Sequence, residues 1–388
     1  MLKKADLVAV FQNACKSRKR FAIGIEHEQF VFQPNMTRAA YAGKSGIKEL
    51  LVFFKQFGYK DVRERGKLIG LFNPNTRQSI SLEPGGQFEL AGAPLKTIEE
   101  VRLEITQHFE RLDMASKELN ISFLAAGFDP YNTRESMHWM PKGRYAIMSR
   151  YMETVGSMGL DMMTRTCTVQ VNLDYSSEAD MARKMRVGMA LQPLVAAYFA
   201  KSTMVEGKDS GYKQYRTLVW QNTDPARSGI LPFVFDDDFG FERYVDYLLE
   251  VPMYFVKRDG QYYDMAGHSF YDFMNGILPG FEGDFATLSD FDDHISVAFP
   301  EVRLKRFIEL RGADSGDVDH IMAVTSFWVN LFYNKAALDA AFELIKNWTY
   351  EDVLDVYIHV PKEGTEAIIC GKPIKDWMQI LLEIAVPV

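Results

Sequence analysis

The segment Phe21-Ala22-Ile23-Gly24-Ile25-Glu26-His27-Glu28-Gln29-Phe30 contains two glutamates separated by one residue. Its β-prone, apolar flanks predict a strand. Because side chains alternate between the two faces of a strand, Glu26 and Glu28 point the same way, about 7 Å apart. Two like charges at that spacing are costly to ionise unless a cation or an arginine lies between them. Mg²⁺ takes carboxylate oxygens together with phosphates, so the pair suggests a metal–phosphate site, although a solvated strand face gives the same pattern.

Three later segments repeat this arrangement of an apolar face and a face of acids, amides and arginines. They are Ser79 to Leu90, interrupted by Pro84-Gly85-Gly86, then Cys167 to Asp174, and Glu301 to Gly312. If one sheet holds all four, it has a polar front and an apolar back. We therefore expect an α+β fold, with a mainly antiparallel sheet, helices on one side and the active site on the other.

Helical periodicity fills much of the chain between these segments. Thr97 and Glu100 form a capping-box pattern at the start of one helix. The predicted helices span 44–58, 97–119, 144–152, 177–200, 241–249 and 317–344. Strands are predicted at 121–127 and 251–256, and from Trp348 onward the pattern loosens.

Composition excludes some classes of function. The 388 residues are 47% hydrophobic and 25% charged, with a net charge of −8, so a general nucleic-acid surface is not expected. There is no apolar run of membrane-spanning length. We predict a single catalytic domain over residues 1–388, which is a monomer or a weak homodimer.

The cysteines and the start of the chain predict a cytoplasmic location. Cys15, Cys167 and Cys370 are widely spaced, no CxxC occurs, and a disulfide framework is not expected. The first residues lack the apolar core of a signal peptide. Cys167 has no histidine nearby in the sequence to activate it, so we interpret it as a small buried residue.

Two motifs that resemble known sites are rejected. Gly43-Lys44-Ser45 ends like a phosphate-binding loop, but Arg38 stands where its first glycine should be. His27-Glu28 begins like a zinc-protease motif, but Val31 replaces the second histidine. We expect a neutral His27 packed on the back of its strand.

The remaining polar residues leave alternatives open. Glu83 suits either a metal ligand or a partner for an arginine. Gln170 and Asn172 suit hydrogen bonds to a nucleotide or a substrate, but a polar sheet face with all its hydrogen bonds satisfied gives the same pattern. Arg311 suits a phosphate or a carboxylate and could also pair with Glu309. Further candidate arginines are Arg144, Arg150, Arg165 and Arg216.

Taken together, these segments resemble glutamate–cysteine ligases of the plant and alphaproteobacterial type. The motifs are Gly24 to Glu28, Leu82 to Leu90, Gly159 to Met163, Arg165 to Asp174, Leu231 to Phe235, Phe299 to Lys305 and Arg311 to Asp314. The resemblance implies a glutamine-synthetase-like fold with a curved sheet. It also implies the ATP- and Mg²⁺-dependent joining of the γ-carboxylate of L-glutamate to the amine of L-cysteine, through a γ-glutamyl phosphate, as the first step of glutathione synthesis.

Residue roles follow from the resemblance. The predicted metal ligands are Glu26, Glu28, Glu89 and Glu309. Arg311 is the predicted catalytic residue. Gln170, Asn172 and Arg303 are predicted to contact the nucleotide, and Met163, Arg216 and Trp328 the substrate. Two other readings remain: a γ-glutamyl ligase using another amine, and a non-catalytic binding protein on a degenerate ligase scaffold.

The chain departs from the family in two places. Plant members carry a regulatory cysteine pair in the segment aligned with Tyr263 to Gly280, where this chain has Met265 and Gly280. We therefore expect no such redox switch. Residues 340–388 are divergent and are expected to be shortened relative to the family.

Overall fold

The computed structural model describes residues 1–386. Within them, the α-helices are α1 (Lys4–Gln12), α2 (Ile47–Phe54), α3 (Ile98–Leu119), α4 (Gly143–Val155), α5 (Gly159–Arg165), α6 (Glu178–Tyr198), α7 (Tyr215–Gln221), α8 (Phe241–Glu250), α9 (Phe270–Met274), α10 (Leu288–Ile295), α11 (Val318–Tyr333), α12 (Lys335–Ile345), α13 (Tyr350–Glu363) and α14 (Ile374–Ile384). The strands are β1 (Ile23–Phe32), β2 (Lys60–Glu64), β3 (Lys67–Phe72), β4 (Ser79–Leu82), β5 (Phe88–Ala91), β6 (Ser122–Leu124), β7 (Thr168–Leu173), β8 (Met204–Val205), β9 (Lys208–Asp209), β10 (Ser228–Gly229), β11 (Phe255–Arg258), β12 (Gln261–Asp264), β13 (Phe299–Pro300), β14 (Val302–Leu304), β15 (Ile308–Asp314), β16 (Ile368–Ile369) and β17 (Lys372–Pro373).

One antiparallel sheet organises the molecule. Its strand order is β14-β15-β7-β1-β5-β4-β3-β2, and β6 pairs with the end of β1. Helices α3, α6 and α11 pack on its back, where the apolar residues of β1, β7 and β15 are buried. The α+β fold with an antiparallel sheet and helices behind it is therefore confirmed.

The strand register places the polar residues of distant segments side by side. Glu28 lies opposite Glu89 across β1 and β5, and Glu26 lies opposite Gln170 across β1 and β7. Because all of these pairs share one face, the front of the sheet carries the polar row that the four segments predicted.

Several predicted elements have different boundaries. The segment 301–312 is a hairpin of β14 and β15 rather than one strand, so Arg303 faces Glu309 across the pair. The predicted helix 317–344 is two helices, because Asn334 ends α11 and its side chain caps α12. The predicted strands at 121–127 and 251–256 shrink to β6 and to β11, which begins at Phe255.

The segment after Trp348 is more regular than its pattern indicates. Thr349 and Asp352 form a capping box at the start of α13, a signal that the sequence already contained. Helices α13 and α14 both pack against α6. This C-terminal part of the chain therefore shares the core of the rest.

Candidate active site

A cavity of about 260 Å³ lies on the front of the sheet. Its floor is formed by β1, β4, β5, β7 and the β14–β15 hairpin, and its walls by α4, α5, α7 and the segment 296–299. The charged residues that line it are Glu26, Glu28, Glu83, Glu89, Arg144, Arg216, Arg303, Lys305 and Arg311. The cavity therefore combines a group of carboxylates with a group of cations.

The carboxylates are crowded and largely removed from water. Glu28 and Glu89 are both buried, each with 8% of its surface exposed. Burial and the nearby Glu83 carboxylate raise the pKa of Glu28 to about 8. Burial and the charges of Glu83, Glu26 and Glu28 raise the pKa of Glu89 well above its usual range. This cluster favours a bound cation, because a cation would offset both the burial and the repulsion.

The donor chemistry of the cluster fits a hard divalent cation. Glu26 is oriented by Asn172, whose Nδ2 donates to Glu26 Oε1 over 2.8 Å. Among residues 1–386, no three acidic, histidine or cysteine side chains converge closely enough to enclose a metal ion. Mg²⁺ needs no such enclosure, since it keeps several waters and shares substrate phosphates with one or two carboxylates. Asn172, predicted to contact the nucleotide, instead holds Glu26.

The structure contradicts the prediction that Glu309 is a metal ligand. Its side chain is 0% exposed and is surrounded by cations. Glu309 Oε2 lies 2.6 Å from Arg303 Nη2 and 2.7 Å from Arg311 Nη1, and Oε1 lies 3.3 Å from Lys305 Nζ. Burial alone would raise the pKa of Glu309, but these three cations hold it below its usual range. Glu309 is therefore the shared counter-ion of the arginines.

Arg303 lines the cavity, but its guanidinium donates its hydrogen bonds to other groups of the protein. Its guanidinium donates to Glu309 and to the carbonyl oxygens of Ser296 and Ala298, each of the latter over 3.0 Å. The predicted nucleotide contact is therefore not supported by its geometry. Arg303 instead fixes the β14–β15 hairpin and Glu309 in place.

Arg311 and Arg216 approach one indole from two elements. Arg311 on β15 donates to Gln170 Oε1 over 2.5 Å, and its guanidinium carbon lies 5.7 Å from the ring centroid of Trp220. Arg216 on α7 donates to the carbonyl oxygens of Arg311 and Gly312, and lies 5.8 Å from the same ring. The pairing of β15 is irregular between Leu310 and Ala313, and the Arg311 carbonyl there also accepts from Thr168 Oγ1 over 3.0 Å.

Three buried donors on cavity-lining residues lack an acceptor within residues 1–386. They are Arg144 Nε, Arg216 Nε and Trp220 Nε1. Buried donors are nearly always satisfied in proteins, so a group of three around one cavity points to oxygens supplied by a ligand. The carboxylates need a cation and these donors need anionic oxygens, which together describe a site for a metal-bound phosphate or carboxylate.

The Pro84-Gly85-Gly86 break forms a loop that is tied to α5. Arg38 donates to the carbonyl oxygens of Gly85 and Thr164, and Gln87 donates to those of Met163 and Thr166. A Cβ on Gly85 would lie 2.4 Å from the Thr164 carbonyl oxygen, so only glycine fits there. This loop places Glu83 and Met163 at the cavity, as the substrate-contact prediction for Met163 requires.

Sequence reasoning missed Trp220 at the cavity and Lys142, which contacts the cavity-lining Ser81, and it misplaced Trp328. Lys142 Nζ donates to Ser81 Oγ over 2.9 Å, and burial together with Arg144 lowers the pKa of Lys142 to about 8. Trp220 lines the cavity, whereas Trp328, the predicted substrate contact, is buried in the core against Phe327 and Phe332. The apolar spacing around both tryptophans looks alike in sequence, and only packing separates them.

The other residues considered in the sequence analysis lie away from the cavity, either on the surface or in the core. Arg150 pairs with Asp264 on the surface, and Arg165 pairs with Asp161 in the interior. Burial lowers the pKa of His27 to about 3, and its ring packs against His108 and Phe109 behind the sheet. Cys167 is fully buried, and all three cysteines are free.

An antiparallel sheet with crowded carboxylates and unsatisfied cationic donors around one cavity defines an enzyme that handles phosphate or carboxylate groups. A family model described as glutamate-cysteine ligase family 2 matches residues 22–367. The chain therefore belongs to that family, and it is a ligase.

Similar proteins agree with this assignment. The chain is 47% identical to the chloroplastic glutamate–cysteine ligase of Nicotiana tabacum, over 99% of this chain and 73% of that protein. It is 49% identical to the one from Brassica juncea, over 90% of this chain and 67% of that protein. A crystal structure of the Francisella tularensis glutamate–cysteine ligase in complex with AMP superimposes with a TM-score of 0.55, at 12% identity, over 94% of this chain and 77% of that one. This structural similarity shows that the two proteins share a fold.

The expectation of a cytoplasmic protein is wrong. The plant relatives are chloroplastic enzymes. A low cysteine count and an ordinary composition do not separate one reducing compartment from another, so these features could not settle the location. Among residues 1–386, no helix combines the length and apolar character needed to cross a membrane.

Proposed function

We propose that this cavity joins the γ-carboxylate of L-glutamate to the amine of L-cysteine at the expense of ATP, the first step of glutathione synthesis. The observation that carries the proposal is the presence, in one cavity, of a group of crowded carboxylates and a group of arginines, beside buried donors that find no acceptor within residues 1–386. Membership of the glutamate–cysteine ligase family supports the choice of substrates.

A carboxylate does not react with an amine in water without activation. In the proposed reaction, the γ-carboxylate attacks the γ-phosphorus of ATP and ADP leaves. The product is an acyl phosphate. The neutral amine of cysteine then attacks the acyl carbon, loses a proton and expels inorganic phosphate. Both steps move negative charge between oxygens, so positioned cations and N–H donors lower their barriers.

Arginines supply that positive charge. Arg311 is held by Glu309 and Gln170, so its orientation is fixed before substrate arrives. Arg144 makes no hydrogen bond through Nε within residues 1–386, and its side chain lines the cavity. We assign both guanidiniums to the oxygens of the transferring phosphoryl group and the γ-carboxylate, for which a fork of donors is suited.

One or two carboxylates of the cluster of Glu26, Glu28 and Glu89, together with water, would hold Mg²⁺. When bound, the ion would neutralise phosphate oxygens and orient them. Glu83 borders the same cluster and raises the cost of leaving it without a cation. Met163 and the indole of Trp220 provide apolar walls against which the carbon skeletons of the amino acids would lie.

The test is product formation by the purified protein with Mg²⁺, ATP, glutamate and a panel of amines. We expect phosphate release and γ-glutamylcysteine with cysteine, detected by mass. Formation of a different γ-glutamyl amide in preference to the cysteine product would overturn the amine assignment. Absence of any ATP-dependent amide would overturn the proposal.

A matched pair of arginine variants tests the site itself. Arg144→Met removes a cavity-lining guanidinium, and Arg150→Met removes a surface guanidinium on the same helix that is 61% exposed. We expect a loss of kcat/KM of about a hundredfold, the effect of one lost charge-stabilising donor, in Arg144→Met alone. Equal activity of the two variants would contradict the role given to Arg144.

A further inference from the structure

Tyr357 on α13 contacts both halves of the active site without lining the cavity. Its hydroxyl donates to Glu301 Oε1 over 2.7 Å, in the interior. Its backbone carbonyl oxygen accepts from Gln221 Nε2 over 2.5 Å. Gln221 ends α7, the helix that carries Arg216 and Trp220. One residue of the C-terminal region therefore contacts both the strand side and the helix side of the site.

The sequence explains why the carbonyl of Tyr357 is available. In an α-helix the carbonyl of residue 357 would accept from the amide of residue 361. That residue is Pro361, which lies inside α13 and has no N–H. The carbonyl is therefore free to accept from a side chain of α7. Pro361 adds a second link, since its own carbonyl oxygen accepts from the amides of Lys213 and Gln214 just before α7, over 2.8 and 3.2 Å.

On the strand side, the contact reaches Arg311 through Glu301. The main-chain carbonyl of Glu301 accepts from the amide of Arg311 over 3.3 Å and from Gln192 Nε2 over 3.2 Å. Arg311 lies in the irregular part of β15 whose carbonyl oxygens are bound by Arg216. The position of Glu301 thus affects the backbone that carries Arg311.

We propose that Tyr357 is a positioning residue that sets the relative placement of Arg216 with Trp220 on α7 and Arg311 on β15. The inference rests on the proposed function. Displacements of about 1 Å at reacting groups cost up to about a hundredfold in rate. Loss of one of the two contacts should therefore reduce turnover although no group in the cavity is removed.

Three variants and a control test the proposal. Tyr357→Phe deletes only the hydroxyl that holds Glu301. Gln221→Leu deletes the donor to the Tyr357 carbonyl, and Pro361→Ala restores an N–H that competes for that carbonyl. Tyr254→Phe is the control, because the Tyr254 hydroxyl is buried without a partner in residues 1–386 and its ring packs against Tyr151 and Arg227 instead.

Kinetics are measured well below the melting temperature of each variant, with saturating ATP and varied glutamate. We expect Tyr357→Phe and Gln221→Leu each to lower kcat about tenfold, with less than a threefold change in the KM for glutamate. Pro361→Ala should lower kcat as well. Tyr254→Phe should keep wild-type kcat. The double variant Tyr357→Phe with Glu301→Met should lose little more than Tyr357→Phe alone, because Glu301→Met removes the acceptor of the same hydrogen bond.

Two results would overturn the proposal. If Tyr357→Phe and Gln221→Leu melt at lower temperature but keep kcat within twofold of the wild type, Tyr357 is merely structural. If the loss in Tyr357→Phe adds fully to that in Glu301→Met, the two side chains act independently. If the wild-type protein forms no γ-glutamylcysteine, the proposed function is wrong. That outcome is separate from a failure of the role proposed for Tyr357, which is judged by comparing the variants with an active wild type.

Discussion

Glu309→Gln should destabilise the protein in the absence of metal, whereas Glu28→Gln should not. Both glutamates are buried on one sheet, but their surroundings have opposite charge. Glu309 is the counter-ion of Arg303, Arg311 and Lys305. Glu28 lies among other carboxylates. Neutralising Glu309 therefore leaves buried cations uncompensated, while neutralising Glu28 relieves repulsion.

The size of the effect can be estimated from the pairing. Removing one partner of a buried ion pair costs about 3–5 kcal/mol. An unfolding entropy of about 2.1 cal/mol/K per residue, over 388 residues, gives about 1.2 °C per kcal/mol. We therefore expect Glu309→Gln to lower Tm by about 4–6 °C. Glu28→Gln should melt at or above the wild-type temperature, since the glutamine oxygen still accepts from the Thr168 amide.

The assay is thermal unfolding followed by circular dichroism, in buffer containing EDTA. Glu343→Gln is the matched control, because Glu343 pairs with Lys346 on the surface and is 64% exposed. Such pairs contribute about 0–1 kcal/mol, so its Tm should be almost unchanged. If Glu309→Gln matches the wild type in EDTA and instead requires more Mg²⁺ for activity, Glu309 is a metal ligand and the reasoning fails.

Other consequences of the structure can be tested alongside. Glu26→Gln should keep its fold but lose ligation by about a hundredfold or more, because mutating a residue that only supports a metal ligand already costs about 10–100-fold; unchanged turnover at saturating Mg²⁺ would contradict this. Cys167→Ser should retain most activity, because burial raises the pKa of the Cys167 thiol well above its usual range and keeps it unreactive; a loss equal to that of Glu26→Gln, with the fold intact, would refute it. Turnover should be the same after oxidant and after dithiol treatment, since the three cysteines are unpaired; activation by oxidation would reveal a disulfide switch. Burial lowers the pKa of His294 to about 4, so the unfolded state binds a proton first as pH falls, and the free energy of unfolding decreases from about pH 6.5 down to 4. His294→Phe should reduce the slope of the free energy of unfolding against pH in that range. An unchanged slope would contradict the role given to His294.

The sequence alone predicted features that depend on neighbours along the chain. Strand periodicity placed Glu26 and Glu28 on one face, and the structure has both at the cavity. The capping box at Thr97 predicted the start of α3 correctly. The glycines after Pro84 predicted the break between β4 and β5. Such features follow from local geometry, in which the faces of a strand and the donors of a helix end are set within a few residues.

Only the tertiary structure decided which distant groups meet. The register of β1 against β5 puts Glu89 opposite Glu28, and the turn after β14 puts Arg303 opposite Glu309. In the sequence, Glu309 and Glu28 are both acids on the polar face of a strand. The alternation of side chains along a strand cannot show that Glu309 is surrounded by cations and Glu28 by other carboxylates. The contacts of Trp220 with Arg311 and of Tyr357 with Glu301 join elements more than 50 residues apart in the chain. Charge, burial and pKa are properties of that assembled environment, because each is set by groups that the chain brings together only when it folds.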